Sequence, residues 1–147
     1  MGIRLVLPLI LAAVAFRGHV ATAESSPAPA AGTAPPTGFY LHAGDSVVLF
    51  GDSITNQRLY TMDVETYVTT RFPKLKIHWI VAGQDGDSVD NNIRHGERLE
   101  REVISRNPTV MTIMLGMNDG WYKEFDQQMF ERYVTGYEKL LKTVNAA

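Results

Sequence analysis

A chain of 147 residues with 45% hydrophobic side chains has the material for one packed domain, and its formal net charge of −2 offers no basic face to a polyanion. Cysteine is absent, which excludes a disulfide framework and any thiolate metal site, so stability must come from packing. Nucleic acid is excluded as a partner, because no basic stripe, zinc-knuckle spacing or RNA-binding motif is present.

The first 23 residues have the layout of an export signal: Arg4 gives a positive start, residues 5–16 are apolar, and Ala21-Thr22-Ala23 is a small-residue cleavage site. The apolar run is well short of the ~20 residues that span a bilayer, so no stable membrane insertion is expected once it is removed. A secreted or periplasmic product is the expectation. Cleavage after Ala23 would leave 12 basic against 16 acidic residues, a net charge of −4. Residues 24–38, rich in Pro, Ala, Ser and Thr without apolar periodicity, are expected to be an extended linker, with the folded domain over residues 39–147.

From Phe39 a β/α rhythm sets in. Residues 46–50 form a short apolar strand, and residues 57–72 a helix with Leu59, Met62, Tyr67 and Val68 on its inner side and Thr55 or Asn56 as its cap. A second strand is expected over residues 76–81 and a second helix over residues 94–107, which Pro108 terminates. Residues 109–115 form a third strand, apolar on both faces. A long final helix carries Phe125, Met129, Phe130, Tyr133, Val134, Tyr137, Leu140, Leu141 and Val144 at helical spacing.

Strands alternating with helices of this length predict an α/β fold with a parallel sheet covered by helices on both sides, and 2-1-3, as in flavodoxin-like sheets, is the strand order considered for it. In that order the third strand is a bare edge. A long uncharged edge invites pairing with another chain, so further strands are expected beyond residue 147, and self-association through the exposed edge is expected without them.

Three short motifs each follow directly on a strand: Gly51-Asp52-Ser53-Ile54-Thr55, the turn around Gly83 in Val81-Ala82-Gly83-Gln84-Asp85-Gly86, and Gly116-Met117-Asn118-Asp119. In open α/β sheets the site lies at the carboxyl ends of the strands. A Ser53 hydroxyl held at that edge can attack an acyl carbon if a base removes its proton. The resulting oxyanion needs preorganised donors, and the Ser53 amide, the Gly83 amide and the Asn118 side-chain NH2 are candidates. Each residue alone has a plainer reading, as a helix cap, a tight turn and a loop brace respectively.

Taken together, these motifs resemble the SGNH hydrolases of the GDSL esterase and lipase superfamily. The resemblance runs from about Phe39 to the end, and the three blocks occur in order on the expected elements. It implies a flavodoxin-like three-layer α/β/α fold, a Ser53 nucleophile and an oxyanion hole from Ser53, Gly83 and Asn118. Two departures stand out. Val81 occupies the position where the second block commonly has Asn, and the Asp-x-x-His block that supplies the base is missing, since no histidine follows His95. An ester hydrolase is therefore expected, an acetylated carbohydrate among its candidate substrates, impaired by the missing base. The rival readings are a non-catalytic carbohydrate-binding or interaction module and a truncated remnant.

Other chemistry is weak. His95 is expected as an exposed helix-start residue, and His78 and His42 as structural; Asp52 and Asp119 are expected to brace their loops. Residues 85–90 fail the calcium-loop pattern, and neither a metal nor a cofactor is implied. Trp121 and Tyr122 could stack on a sugar ring or line an acyl pocket, with packing beneath the last helix the favoured reading.

Overall fold

The computed structural model describes residues 4–6 and 38–147. The cleavage site at residues 21–23, most of the leader and the linker up to residue 37 lie outside the described residues.

Among the described residues, four parallel strands form one sheet: β1 (Arg4–Val6), β2 (Ser46–Gly51), β3 (His78–Gly83) and β4 (Val110–Met114), in the order β1-β4-β2-β3. The three strands of the domain thus stand 2-1-3, as the sequence predicted. The helices are α1 (Ser53–Asn56), α2 (Leu59–Arg71), α3 (Val89–Arg94), α4 (Glu97–Glu102) and α5 (Gln127–Ala146). Strand alternation separates two cores. Val48, Phe50, Met111 and Ile113 face Leu99, Val103, Leu140 and Val144 on the side of α4 and α5. Val47, Leu49 and Val110 face the other way with Trp79, which also packs on Val68, Phe72 and Leu75 on the side of α2. Three layers result.

The third strand is not a bare edge. Arg4, Leu5 and Val6 pair in parallel with Val110, Met111 and Thr112, and the Arg4 amide donates to the Thr109 carbonyl at 2.8 Å. The Arg4 guanidinium reaches Asp45 and His42 and lies 5.7 Å from the Tyr40 ring centroid, so charge anchors the added strand beside the domain.

Helix details depart from the periodicity. Arg58 sits in the left-handed region at φ 62, so the chain breaks between α1 and α2; Asp52 caps α1, and neither Thr55 nor Asn56 caps α2. Helix α2 buries Thr61 and Val68, seven apart on one face, and leaves Leu59 and Met62 69% and 53% exposed. Docking through Val68 and Phe72 fixes that phase and turns Leu59 outward. The second strand lies two residues further on than expected, because left-handed Lys76 delays extended backbone until His78. The second helix splits at His95-Gly96 into α3 and α4, and begins earlier because the Ser88 hydroxyl accepts the Asn91 amide at 3.1 Å. Asp126 caps α5 through the Met129 amide at 2.7 Å, and Phe125 and Phe130 point outward.

Candidate active site

The Gly-Asp-Ser turn follows from close approach. A Cβ at Gly51 would stand 2.1 Å from Thr55 Oγ1 and 2.7 Å from the Met114 carbonyl oxygen, so only glycine ends β2 here. Asp52, almost fully buried, accepts the Ile54 amide at 2.9 Å while its own amide donates to the Met114 carbonyl at 3.3 Å. That cap starts α1 at Ser53, whose side chain is half-buried and has no hydrogen-bond partner among the described residues. Asp52 is the loop brace that its position in the turn suggested.

The register brings the other two motifs to the same edge. Gly51 is aligned with Gly83 on one side and with Met114 on the other, and neighbouring strands stand about 4.8 Å apart. Gly83 lies directly under α1: a Cβ there would be 2.2 Å from the Asn56 nitrogen. Because the Gln84 amide donates to Gly51 at 3.1 Å, the alternation of the ladder turns the Gly83 amide away from β2. Gly86, three residues on, has φ 72, open space around its α-carbon and a place in the wall of the cavity beside Asn118. Gly86 is not among the donors expected from the sequence, where it only closes the segment around Gly83; its place between Asp85 and Asp87 is the signal that marks it as a turn residue.

Beyond β4 the chain turns at Gly116, φ 133, where a Cβ would press on the Tyr133 hydroxyl at 3.2 Å. Asn118 then reaches across to the loop after β3, its side-chain Nδ2 donating to the Asp87 carbonyl at 2.7 Å; the second N–H of that amide remains available. Asp119 accepts the Val89 and Asp90 amides at 3.1 and 3.2 Å and so braces the start of α3. Burial pushes its carboxyl above the ordinary range, and those two amides offset part of the rise. All three loops are therefore tied to one another.

No described histidine contacts Ser53. His42 lies by Asp45 and Arg4, and His78 is exposed where β3 begins, at the opposite end of the sheet. His95 ends α3 rather than starting a helix and is exposed in a small cavity with Asn91 and Arg98. Trp121 and Tyr122 do not pack beneath α5: they are 70% and 80% exposed. Both have left-handed backbone, φ 52 and 53. With Asn118, Gly86, Asn91 and Arg132 they line a cavity of about 760 Å³.

Residues 49–147 match the model of the GDSL-like Lipase/Acylhydrolase family. Among solved structures, a gut microbial diltiazem-metabolizing enzyme is similar at 30% identity and a TM-score of 0.61, covering 70% of this chain and 24% of that one. An acetylxylan esterase from Geobacillus stearothermophilus shares the fold at 23% identity and a TM-score of 0.61, covering 71% and 56% of the two chains. A hydrolase from the metagenome of Lake Arreo, Spain, is 27% identical with a TM-score of 0.56, covering 74% and 57%. The chain thus spans from about a quarter to just over half the length of these structures. Comparison with curated proteins gave no match. Its matched span and its three motif-bearing loops at the carboxyl edge of the sheet make this chain a member of the GDSL-like lipase/acylhydrolase family.

Proposed function

We propose that this protein is an ester hydrolase of the acyl-transfer type, with Ser53 as nucleophile. The observation that carries this reading is the register of Gly51 with Gly83 and Met114, which sets the serine turn between the two loops able to hold an oxyanion. In the reaction the Ser53 oxygen adds to the ester carbonyl carbon as its proton passes to a general base. The tetrahedral intermediate then expels the alcohol, which takes that proton, and water hydrolyses the acyl-Ser53 ester to the free acid and restores the serine hydroxyl. The Ser53 amide and the free N–H of Asn118 stabilise the tetrahedral oxygen, a contribution of about 3 kcal/mol per donor. Gly83 serves as the close-packing residue that lets α1 sit low over β3, and the Gly86 loop supplies the third donor from the cavity side. The Gly86 loop is proposed here in place of Gly83, the donor expected from the sequence, because the ladder turns the Gly83 amide toward the outer edge of the sheet.

The alcohol side of the substrate is proposed to be a carbohydrate, an acetylated sugar in particular. Two outward aromatic rings beside Asn91, Asn118 and Arg132 combine a stacking surface with hydrogen-bonding groups, as a pyranose requires. No described histidine contacts Ser53, and we infer weak turnover for these 147 residues by themselves, of the order left when a triad loses its base. The same two facts also favour a second reading, a carbohydrate-binding module without catalysis. Rates on p-nitrophenyl acetate and on acetylated xylo-oligosaccharide, for the wild type and Ser53→Ala, decide between them. A wild-type rate above that of the variant supports the esterase; equal background rates leave the binding module.

Export is proposed from the leader, with a secreted or periplasmic mature chain beginning at Glu24. N-terminal sequencing of the product from an exporting host tests it.

A further inference from the structure

We propose that Arg98 is a positioning residue that sets all three site loops from beneath, and this rests on the assignment of Ser53 and Asn118 above. Arg98 lies in a stretch that reads in sequence as a charged, solvated helix (Glu97-Arg98-Leu99-Glu100-Arg101-Glu102), yet it is only 6% exposed. A guanidinium buried so deeply must find acceptors for its donors or destabilise the fold.

Its acceptors come from separate loops. Nη2 donates to the Ala82 carbonyl at 2.7 Å and to the Gly51 carbonyl at 3.3 Å, the residues immediately before Gly83 and Asp52. Nη1 pairs with the buried Asp87 carboxylate, and Nε donates to Glu102 at 2.9 Å. The cation also lies 4.2 Å from the centroid of the Phe50 ring, which holds its plane against β2. Asp87 extends the chain of contacts. Its carboxylate receives Asn92 Nδ2 at 2.7 Å, and its carbonyl receives Asn118 Nδ2 at 2.7 Å.

One rigid side chain therefore links the serine turn, the end of β3, the Gly86-Asp87 loop and, through Asp87, the Asn118 amide. Glu102 and Asp87 already balance the charge, so neutralisation alone does not account for the two backbone carbonyls. Those carbonyls fix the spacing of β2 and β3 where the loops leave the sheet. A planar fork of five N–H groups can serve them all at once, whereas a lysine ammonium has three donors on a flexible stem. Arg98 touches no reacting atom; it acts through where Gly51, Asp87 and Asn118 stand.

The test is nuclear magnetic resonance on the 15N-labelled 147-residue chain, comparing the wild type, Arg98→Lys and Asp87→Asn, with Glu102→Gln as the control that removes only the rim partner. Arg98→Lys and Asp87→Asn are both expected to shift the Asn118 side-chain NH2 signals. They are also expected to speed amide exchange at Asp52 and Gln84 about tenfold relative to the α5 amides. Glu102→Gln should leave both unchanged. If Arg98→Lys lowers the denaturation midpoint while the Asn118 signals and the loop amides keep their wild-type behaviour, Arg98 is merely structural and the proposal fails. Should Arg98→Lys not fold, Asp87→Asn decides on the same signals. None of these readouts needs turnover, so they stand apart from the Ser53→Ala assay: either result can fail without the other.

Discussion

Asn118 donates its side-chain Nδ2 to the main-chain carbonyl of Asp87 at 2.7 Å, joining the loop after β4 to the loop after β3. Asn118→Asp places a carboxylate oxygen against that carbonyl, removing a donor and adding repulsion. A loss of about 1–3 kcal/mol is expected in urea denaturation, with Asn118→Ala at the lower end of that range.

Gly83 and Gly86 should fail differently when given a methyl group. At Gly83 a Cβ meets the Asn56 backbone at 2.2 Å, and neither element can yield without moving α1 off the sheet. Gly83→Ala should cost about 1–3 kcal/mol or more through overpacking. At Gly86 the space is open and the penalty comes from φ 72 alone, roughly 1–2 kcal/mol for alanine. Gly86→Asn should recover part of it, since asparagine tolerates the left-handed region. Thermal denaturation of the three variants checks the order.

Two carboxylates should give stability opposite pH slopes. Asp119 is pushed above its ordinary 3.8 chiefly by burial, so the folded state binds its proton more tightly than the unfolded state does. Its favourable contribution is fully present below 3.8 and is lost as pH rises through the raised value. For Asp45, burial raises the pKa, but the His42 amide, the Thr109 hydroxyl and Arg4 together outweigh it and leave it lowered. The contribution of Asp45 is therefore present above 3.8 and lost as pH falls through its lowered value. Stability of the wild type minus Asp119→Asn should fall with rising pH, and that of the wild type minus Asp45→Asn should rise. Denaturant titrations between about pH 2.5 and about pH 6 measure both slopes.

Trp121 is held outward at φ 52, and its indole should report on a sugar in the cavity. Acetylated xylo-oligosaccharide is expected to change the tryptophan emission of the wild type. Trp121→Ala should weaken binding by about 1 kcal/mol or more of stacking, read by calorimetry, with little loss of stability.

Removal of residues 1–23 should uncover the edge of β4, because Arg4–Val6 occupies it in this structure. A chain beginning at Glu24 is expected to show concentration-dependent sedimentation, and a sharp monomer at all concentrations would count against edge pairing.

The alternation of apolar strands with helices determined the parallel sheet and its helical layers, and the turn residues 51–55 and 116–119 marked where the loops leave it. These signals are local: side-chain period and backbone permissiveness act over a few residues and are visible in one dimension. Tertiary structure decided what depends on partners far along the chain. Val68 and Phe72 set the rotation of α2 by docking near Trp79, which turned Leu59 and Met62 outward. Gly83 became a packing residue because Asn56 lies over it, and Trp121 stayed in solvent because its left-handed backbone projects it from the loop. Arg98, one charge among several on a polar helix, was buried because carbonyls from two strands and the Asp87 carboxylate converge on one guanidinium, and no spacing along the sequence encodes that convergence.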